Sequence, residues 1–267
     1  MRGYILTAAF AFLALGATAR AADLVEIKGE LHGTGLLQRP EGLKLQGVEY
    51  ARMDYDPADL PAAYDARESG CVTPTKNQGQ CGSCWSFSRT KALEAAWCLA
   101  KGDKTIDLAE QDTLVNDTSA AGCQGGYMDG AYETSHGVTT EAACPYKGSD
   151  RYRCAGAVKA KAAHWMFIGA AGRSPTLTEI KAAVMQYKVV SVTVSASSAF
   201  SPRNGHIKTC QNGQLNHMIV VTGWDGDELL IQNSWGTNWG AGGFAYTKQG
   251  CNSVATGPES AMVFAVE

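Results

Sequence analysis

The sequence predicts an α+β protein whose first half is helical and whose second half is rich in β-strand. A helical mixture of apolar and charged residues starts at Trp85 and runs to Gly102, which offers a stop. The hydrophobic pattern then changes from helical to strand-like. Residues 189–194 are β-branched, and residues 217–222 and 229–232 are short apolar runs between turn residues. A helical region therefore precedes a strand-rich region in one chain.

Two further helices are predicted on either side of this change. A short one opens at residues 107–111, after the first helix. Residues 176–179, Thr-Leu-Thr-Glu, form a capping box that opens another helix, which we expect to end near Tyr187.

Length and charge limit the possible functions. The chain has 267 residues, enough for one large domain or two lobes with a hydrophobic core. Its formal net charge of −3 does not indicate the positively charged surface that is typical of nucleic-acid-binding proteins. After the N-terminus, no segment is apolar over the roughly 20 residues that a membrane-spanning helix needs.

Residues 1–21 have the features of a cleaved secretory signal. Arg2 supplies positive charge, and residues 4–16 are almost entirely apolar. Ala19 and Ala21 are small residues at the two positions that a signal peptidase recognises before its cleavage site. The apolar run is too short for a membrane anchor. We therefore expect cleavage after Ala21 and a secreted or periplasmic protein, or a lysosome-like compartment in a eukaryotic host.

The most informative stretch is the loop that leads into the first predicted helix, residues 78–87, Gln-Gly-Gln-Cys-Gly-Ser-Cys-Trp-Ser-Phe. Its glycines favour a loop, so Cys84 would stand in the first turn of the helix. Free N–H groups and the helix dipole favour a thiolate there. Two other interpretations exist: a buried structural cysteine, or a redox couple of Cys81 and Cys84 at a helix start.

Residues 81–85 resemble the nucleophile signature of papain-like cysteine peptidases, in which a histidine and an asparagine follow about 130–150 residues later. His217, in Asn-His-Met-Ile-Val-Val, and Asn233, in Gln-Asn-Ser-Trp-Gly, resemble the family's own motifs. The match runs in order from about Leu60 to the C-terminus. The resemblance implies a two-lobed papain-like fold with a helical N-terminal lobe, a β-rich C-terminal lobe and the active site in the cleft between them.

The resemblance also implies catalytic roles. Cys84 would be the nucleophile, His217 would accept and return its proton, and Asn233 would orient the imidazole. The Gln78 amide would join the Cys84 N–H in holding an oxyanion, and Trp235 would cover the Asn–His hydrogen bond. Four of these residues have an ordinary alternative. His217 could be a structural histidine and Asn233 a turn asparagine. Gln78 could face solvent, and Trp235 could be a core tryptophan.

A second set of residues would bind substrate, again by resemblance: Gly125, Gly126, Tyr127, Met128, Leu215, Met218 and Thr256. The two glycines would bind an extended peptide backbone by strand-like hydrogen bonds. The next four would wall the pocket for the second residue before the cut, with Thr256 at its base. Because no acidic residue stands at that base, we expect an apolar preference. The two methionines could instead be ordinary core fillers.

Nine cysteines fit an exported, oxidised protein, and an odd count leaves one thiol unpaired. By resemblance the free thiol is Cys84, and the pairs are Cys81–Cys123, Cys210–Cys251, Cys71–Cys98 and Cys144–Cys154. The last pair departs from the family pattern, which usually has a cysteine near Asn116 and a tyrosine where Cys144 stands.

Residues 22–59 are polar and weakly patterned. By resemblance they are an inhibitory propeptide, although they are short and lack the long helical motif of larger propeptides. The other interpretation is a flexible leader with no inhibitory role. Residues 60–67 resemble the start of a mature enzyme, so we expect the peptidase domain to span residues 60–267.

We interpret the chain as a secreted papain-like cysteine endopeptidase. His136 is the only histidine between Cys123 and Cys154, so the histidine-rich insertion of cathepsin B-like enzymes is missing and the cleft should be open. The resemblance implies protein or peptide substrates, proteinaceous inhibitors and a monomer, with no metal, cofactor, nucleic acid or, after signal removal, membrane. The alternatives are a catalytically silent papain-like binding protein and a CxxC thiol–disulfide oxidoreductase.

Overall fold

Four α-helices and two β-sheets form the part of the chain that this computed structural model describes, residues 23–39, 45, 47–53 and 55–267. The predicted signal sequence, residues 1–21, lies outside the described residues. Within those ranges, no helix combines the length and the apolar character that crossing a membrane requires.

Helix α1, Cys84–Lys101, is the first helix that the sequence predicted, and it is buried on nearly all sides. It ends where Gly102 adopts a left-handed φ of 69° and donates its N–H to the carbonyl of Cys98. Several of its polar side chains are buried with partners, as in the ion pair of Arg89 with Glu133. The helix can therefore be enclosed by the rest of the protein and hold its first turn in a fixed position.

The other helices are shorter: α2, Glu110–Asn116, α3, Ala131–Ser135, and α4, Leu177–Tyr187. Helix α2 begins later than the predicted residues 107–111. The capping box before α4 is confirmed, because Thr176 Oγ1 accepts the Glu179 N–H at 3.2 Å and Glu179 Oε2 accepts the Thr176 N–H at 2.8 Å. This reciprocal pair fixes where α4 starts.

The larger sheet is antiparallel throughout, with the strand order β4-β9-β5-β6-β7-β8 and with β3 paired to β6. Its strands are β3 Ala63–Asp65, β4 His164–Phe167, β5 Val190–Val194, β6 His217–Asp225, β7 Glu228–Gln232, β8 Phe244–Lys248 and β9 Ala261–Ala265. The three predicted runs at 189–194, 217–222 and 229–232 coincide with β5, β6 and β7.

The central strands β5 and β6 are covered on both faces. Val192 and Ile219 belong to a core shared with α4, whereas Val220 belongs to a second core shared with α1. Continuous apolar runs are typical of strands covered in this way. Ser88 Oγ of α1 donates to the Ile219 carbonyl at 2.8 Å, so the first turns of α1 lie against the start of β6.

The leader contains a β-hairpin that the sequence analysis did not predict. Strands β1, Leu24–Ile27, and β2, Glu30–Gly33, pair around a two-residue loop. The loop residues Lys28 and Gly29 both have positive φ, 51° and 83°, which matches the twist of a tight hairpin. The hairpin packs Ile27 into the core that contains α4 and the sheet. The leader is therefore folded onto the protein.

Eight cysteines form four disulfides, and these are the pairs that the sequence analysis proposed: Cys71–Cys98, Cys81–Cys123, Cys144–Cys154 and Cys210–Cys251. Cys84 is the remaining free thiol among the described residues. Because Cys81 is bonded to Cys123, it is not available as a redox partner for Cys84, which argues against the oxidoreductase alternative.

Candidate active site

Cys84 is the first residue of α1, and its side chain is fully buried in this structure. Backbone N–H groups of Met218, Gly35 and Trp85 interact with its sulfur and favour a thiolate. Burial has the larger, opposite effect and raises the pKa of the thiol to about 12. In this state Cys84 is therefore a neutral thiol.

His217 and Asn233 come from neighbouring strands. His217 opens β6, Asn233 follows the last residue of β7, and His217 Nε2 lies 2.9 Å from Asn233 Oδ1. Asn233 Oδ1 also accepts the Ser234 N–H at 2.8 Å, so it is an acceptor and Nε2 must carry the hydrogen. The other nitrogen, Nδ1, has no hydrogen-bond partner among the described residues. It is therefore free to accept a proton.

The surroundings of His217 keep it uncharged. Burial lowers its pKa to about 4, although the hydrogen bond with Asn233 raises it. The backbone N–H of Met218, the residue after His217, favours the Cys84 thiolate, so Cys84 lies near the start of β6. The site thus holds a neutral thiol next to a neutral imidazole while it is enclosed.

Trp235 stacks on the His217 ring with 4.6 Å between ring centroids and an interplanar angle of 28°. Its indole is only 1% exposed. The ring lies next to the His217–Asn233 pair, where the sequence analysis expected a covering aromatic. Phe200 meets Trp235 edge to face at 6.0 Å and supports it from the core.

The Gln78 side chain is held at both ends. Its Oε1 accepts the Ser234 hydroxyl at 2.6 Å, and its Nε2 donates to the carbonyl oxygens of Cys81 at 2.8 Å and Gly33 at 3.0 Å. Gly33 belongs to the leader. The amide donor predicted to hold an oxyanion is therefore already bonded to a peptide carbonyl of the same chain.

Gly126 binds an extended segment of the leader, as the sequence analysis expected it to bind substrate backbone. Its N–H donates to the Gly35 carbonyl at 2.9 Å, and its carbonyl accepts the Leu37 N–H at 2.8 Å. Leu36 forms a parallel bridge with Gly126. A side chain at Gly126 would collide with the Trp85 ring, so only glycine fits there. Gly125, with φ of 127°, leads into this position.

A cavity of about 220 Å³ lies beside this segment, and three of the four residues predicted to wall the pocket line it. Tyr127, Met128 and Leu215 line the cavity. Met218 does not: its side chain is in the core between α1 and the sheet, which was the alternative interpretation.

The predicted base of the pocket also needs correction. Thr256 is not among the residues that line the cavity, and its hydroxyl donates to the Ser253 carbonyl at 3.0 Å. Instead Pro258, Glu259 and Ser260 line this side. Because Glu259 lines this side of the cavity, the premise that no acidic residue stands there is wrong.

Comparison with known proteins agrees with this geometry. The profile of a family described as papain family cysteine protease matches residues 60–265. The chain belongs to the papain family of cysteine proteases.

Individual papain-family relatives match most of this chain. Cysteine proteinase B of Leishmania mexicana is 32% identical over 219 residues, which cover 76% of this chain and 48% of that protein. Cathepsin K of Mus musculus is 32% identical over 243 residues, covering 84% of this chain and 72% of the relative. The chain thus spans about half the length of several relatives that it matches.

A solved papain-family structure has the same fold. The digestive procathepsin L2 proteinase from the larval midgut of Tenebrio molitor superposes with a TM-score of 0.74 at 27% identity. The match covers 88% of this chain and 78% of that one. The two-lobed α+β fold implied by the sequence is thereby confirmed.

Sequence reasoning missed Tyr146 in this papain-family site. Its hydroxyl lies 2.6 Å from Ser83 Oγ and donates to the Gln78 carbonyl at 2.9 Å. It therefore ties the residue before Cys84 to the residue that carries the predicted oxyanion donor. No local motif pointed to this contact, because Tyr146 is far from both residues in the sequence.

Sequence reasoning also missed the contacts that the leader makes with the site, and this was the larger omission. His32 stacks on Trp235 with 4.8 Å between centroids, on the indole that also stacks with His217. The Gly33 carbonyl accepts the Trp235 Nε1–H at 3.3 Å, in addition to the Gln78 amide. Gly35 has no room for a side chain against the Gly82 backbone. The leader thus passes close to the loop before Cys84, and it has no side chains at Gly33 and Gly35 where it does so. These two glycines are a sequence signal of the close approach.

Proposed function

We propose that this chain is the latent form of a secreted cysteine endopeptidase that cuts peptide bonds with Cys84, His217 and Asn233. One observation carries the proposal: a lone free thiol at a helix start, an Asn-bound imidazole and a held glutamine amide meet in one cleft, along which an extended peptide segment is bound. Family membership supports the reaction class. Four disulfides support an extracytoplasmic location.

Acylation would begin with transfer of the Cys84 thiol proton to His217 Nδ1. The thiolate then attacks the substrate carbonyl carbon, and the charge moves to the carbonyl oxygen, where the Gln78 amide and the Cys84 N–H stabilise it. When the tetrahedral intermediate collapses, the C–N bond breaks and His217 returns the proton to the leaving amine. The product is a thioester on Cys84.

Deacylation would use the same groups with water in place of the thiol. His217 takes a proton from the water as it attacks the thioester, and the proton then passes to the departing Cys84 sulfur. Asn233 would keep the hydrogen on Nε2, and so leave Nδ1 available for proton transfer in both stages, because Asn233 Oδ1 accepts that hydrogen. The carboxylic acid product then leaves the cleft.

For specificity we propose an apolar residue two places before the cut. In the leader, Leu36 stands opposite Gly126, between the two backbone hydrogen bonds of that glycine. Its side chain packs with the core cluster that contains Met128. A substrate residue bound at Gly126 would meet the same apolar wall.

Latency would follow from what the leader occupies. The Gly33 carbonyl accepts a hydrogen bond from the Gln78 amide. The segment at Gly35 covers Cys84 and is hydrogen-bonded to the Gly126 backbone. A substrate therefore cannot reach the thiol until residues 32–39 leave the cleft. This favours the inhibitory interpretation of the leader over that of a flexible segment without a role.

The reaction can be tested with a fluorogenic peptide that has leucine two places before the cut. The chain freed of its leader, in reductant, is compared with its Cys84→Ala variant treated identically. We expect hydrolysis by the first and none by the second. If neither hydrolyses this peptide nor a broad peptide mixture, the silent binding protein becomes the better interpretation.

Acid release of the leader is a second expectation. Burial lowers the pKa of His32, and Glu30, 3.8 Å away, partly opposes this; His217 stacks on the same indole, that of Trp235. A histidine that resists protonation when docked makes docking weaker as pH falls below its ordinary pKa, about 6.5. We therefore expect the full chain to activate faster at about pH 5 than at about pH 7.

The matched variants are His32→Phe, which keeps a ring on Trp235, and His136→Phe, which changes an exposed histidine that contacts Ser135 and Tyr132. Activation is followed as the lag before peptide hydrolysis. His32→Phe should flatten the pH dependence of the lag, while His136→Phe should leave it as it is. An unchanged pH profile in His32→Phe would remove His32 from this role.

A further inference from the structure

The cavity beside Gly126 has an acidic end that the apolar preference does not use. Asp129 and Glu259 line it together with Tyr127, and the Asp129 side chain is only 6% exposed. A carboxylate buried to this degree is costly unless a cation or hydrogen-bond donors accompany it. The cation that accompanies Asp129 identifies what this end of the cavity can hold.

That cation belongs to the leader. Arg39 Nη2 forms an ion pair and a hydrogen bond with Asp129 Oδ2. The Arg39 guanidinium carbon also lies 4.7 Å from the centre of the Tyr127 ring, in a cation–π contact. A carboxylate next to an aromatic face is a binding site suited to a guanidinium, and this one is occupied by a segment that the proposed activation removes.

No other cation is placed to replace Arg39 among the residues that the structure describes around this cavity. Arg89 has an electrostatic interaction with Asp129, but its guanidinium is hydrogen-bonded to Glu133 and Asp117. Loss of the leader would therefore leave Asp129 facing the cavity without its ion-pair partner. Glu259 would face the same space.

We propose that Asp129, with Tyr127, selects a basic side chain in the substrate, at the third or fourth residue before the cut. This inference rests on the proposed peptidase function and deepens its specificity. The substrate's arginine or lysine would take the place that Arg39 holds in the latent chain.

The position in the substrate follows from the path of the leader. Gly35 lies at the Cys84 sulfur, Leu36 and Leu37 lie at Gly126, and Arg39 follows. The acidic end is thus farther from the nucleophile than the apolar wall opposite Leu36. A substrate that puts an apolar residue at that wall reaches the acidic end with its third or fourth residue before the cut.

The test uses the chain freed of its leader and peptides that all have leucine two places before the cut. Arginine, lysine, methionine or glutamate is placed at the third and, separately, at the fourth position. We expect kcat/KM for arginine to exceed that for methionine about tenfold or more at one position, as a charge-assisted hydrogen bond would give. Glutamate should be the poorest residue there.

Asp129→Asn is the decisive variant, because the asparagine oxygen can still accept the Ala131 N–H that Asp129 Oδ1 accepts at 3.3 Å. It should bring the arginine-to-methionine ratio close to one without changing kcat/KM for the methionine peptide. Glu259→Gln should lower the ratio less. Equal rates for arginine and methionine at both positions, or an arginine preference that survives Asp129→Asn, would overturn the inference alone. Failure to hydrolyse any of the peptides would instead overturn the proposed function, and the inference with it.

Discussion

At about pH 7 the full chain is expected to react with iodoacetamide at least about a thousandfold more slowly than the chain freed of its leader. The thiolate is the reactive species, and burial under the leader raises the pKa of Cys84 to about 12. A thiol whose pKa lies that far above neutral is almost entirely protonated at pH 7 and ionises only as pH rises towards its pKa. Removing the leader returns water to the site and allows the thiolate to pair with protonated His217.

The measurement is the rate of a single carbamidomethyl addition by mass spectrometry, without reduction, because the other eight cysteines are in disulfides. A chain unfolded in guanidinium serves as the reactive control. Gly35→Ala is the matched variant, since any side chain there collides with the Gly82 backbone and should push the leader out. Its full chain should react faster than the unaltered full chain. Equal rates for the full and leader-free chains would contradict the occlusion of Cys84.

Replacing Gln78 with alanine should lower kcat of the leader-free enzyme by about 10²–10³ and leave KM nearly unchanged. The amide would bond the carbonyl oxygen mainly when it carries charge, so its loss weakens the transition state more than substrate binding. The expected cost is about 2.7–4 kcal/mol of transition-state stabilisation. Steady-state kinetics with the leucine peptide measure both constants.

Gln80→Ala is the control for this variant, because Gln80 is an exposed glutamine of the same loop. It should retain full activity. Thermal unfolding of both variants checks that the loop still folds, since Gln78 also bonds the Cys81 carbonyl and Ser234. A Gln78→Ala enzyme that keeps its kcat would show that the amide does not stabilise the oxyanion.

The elements that sequence analysis placed correctly are those specified by local patterns. Helix α1 has its stop at Gly102, α4 has its capping box at Thr176, β5 is rich in β-branched residues, and β6 begins with an apolar run. The catalytic candidates were found because each stands in a motif of its own. Their convergence in space needed only the order of the motifs along the chain.

What could not be predicted depends on contacts between distant segments. The leader looked unstructured because its hairpin is short, and its remaining order comes from hydrogen bonds with Gly126 and Gln78, far along the chain. Thr256 and Met218 were misplaced for a related reason. Whether a side chain enters a cavity or a core is decided by strand register and loop length, which the motif around His217 does not specify.

The stacking of two imidazoles on Trp235 has an optical consequence. This indole is 1% exposed, and one of the rings stacked on it, His32, belongs to the segment that must leave. Indole emission depends on the polarity around the ring, and a protonated imidazole in contact quenches it. Because the chain has six tryptophans, the emission of Trp235 is obtained as the difference between the unaltered chain and a Trp235→Phe variant. That difference reports the departure of the leader in an unlabelled protein and before any substrate is cut.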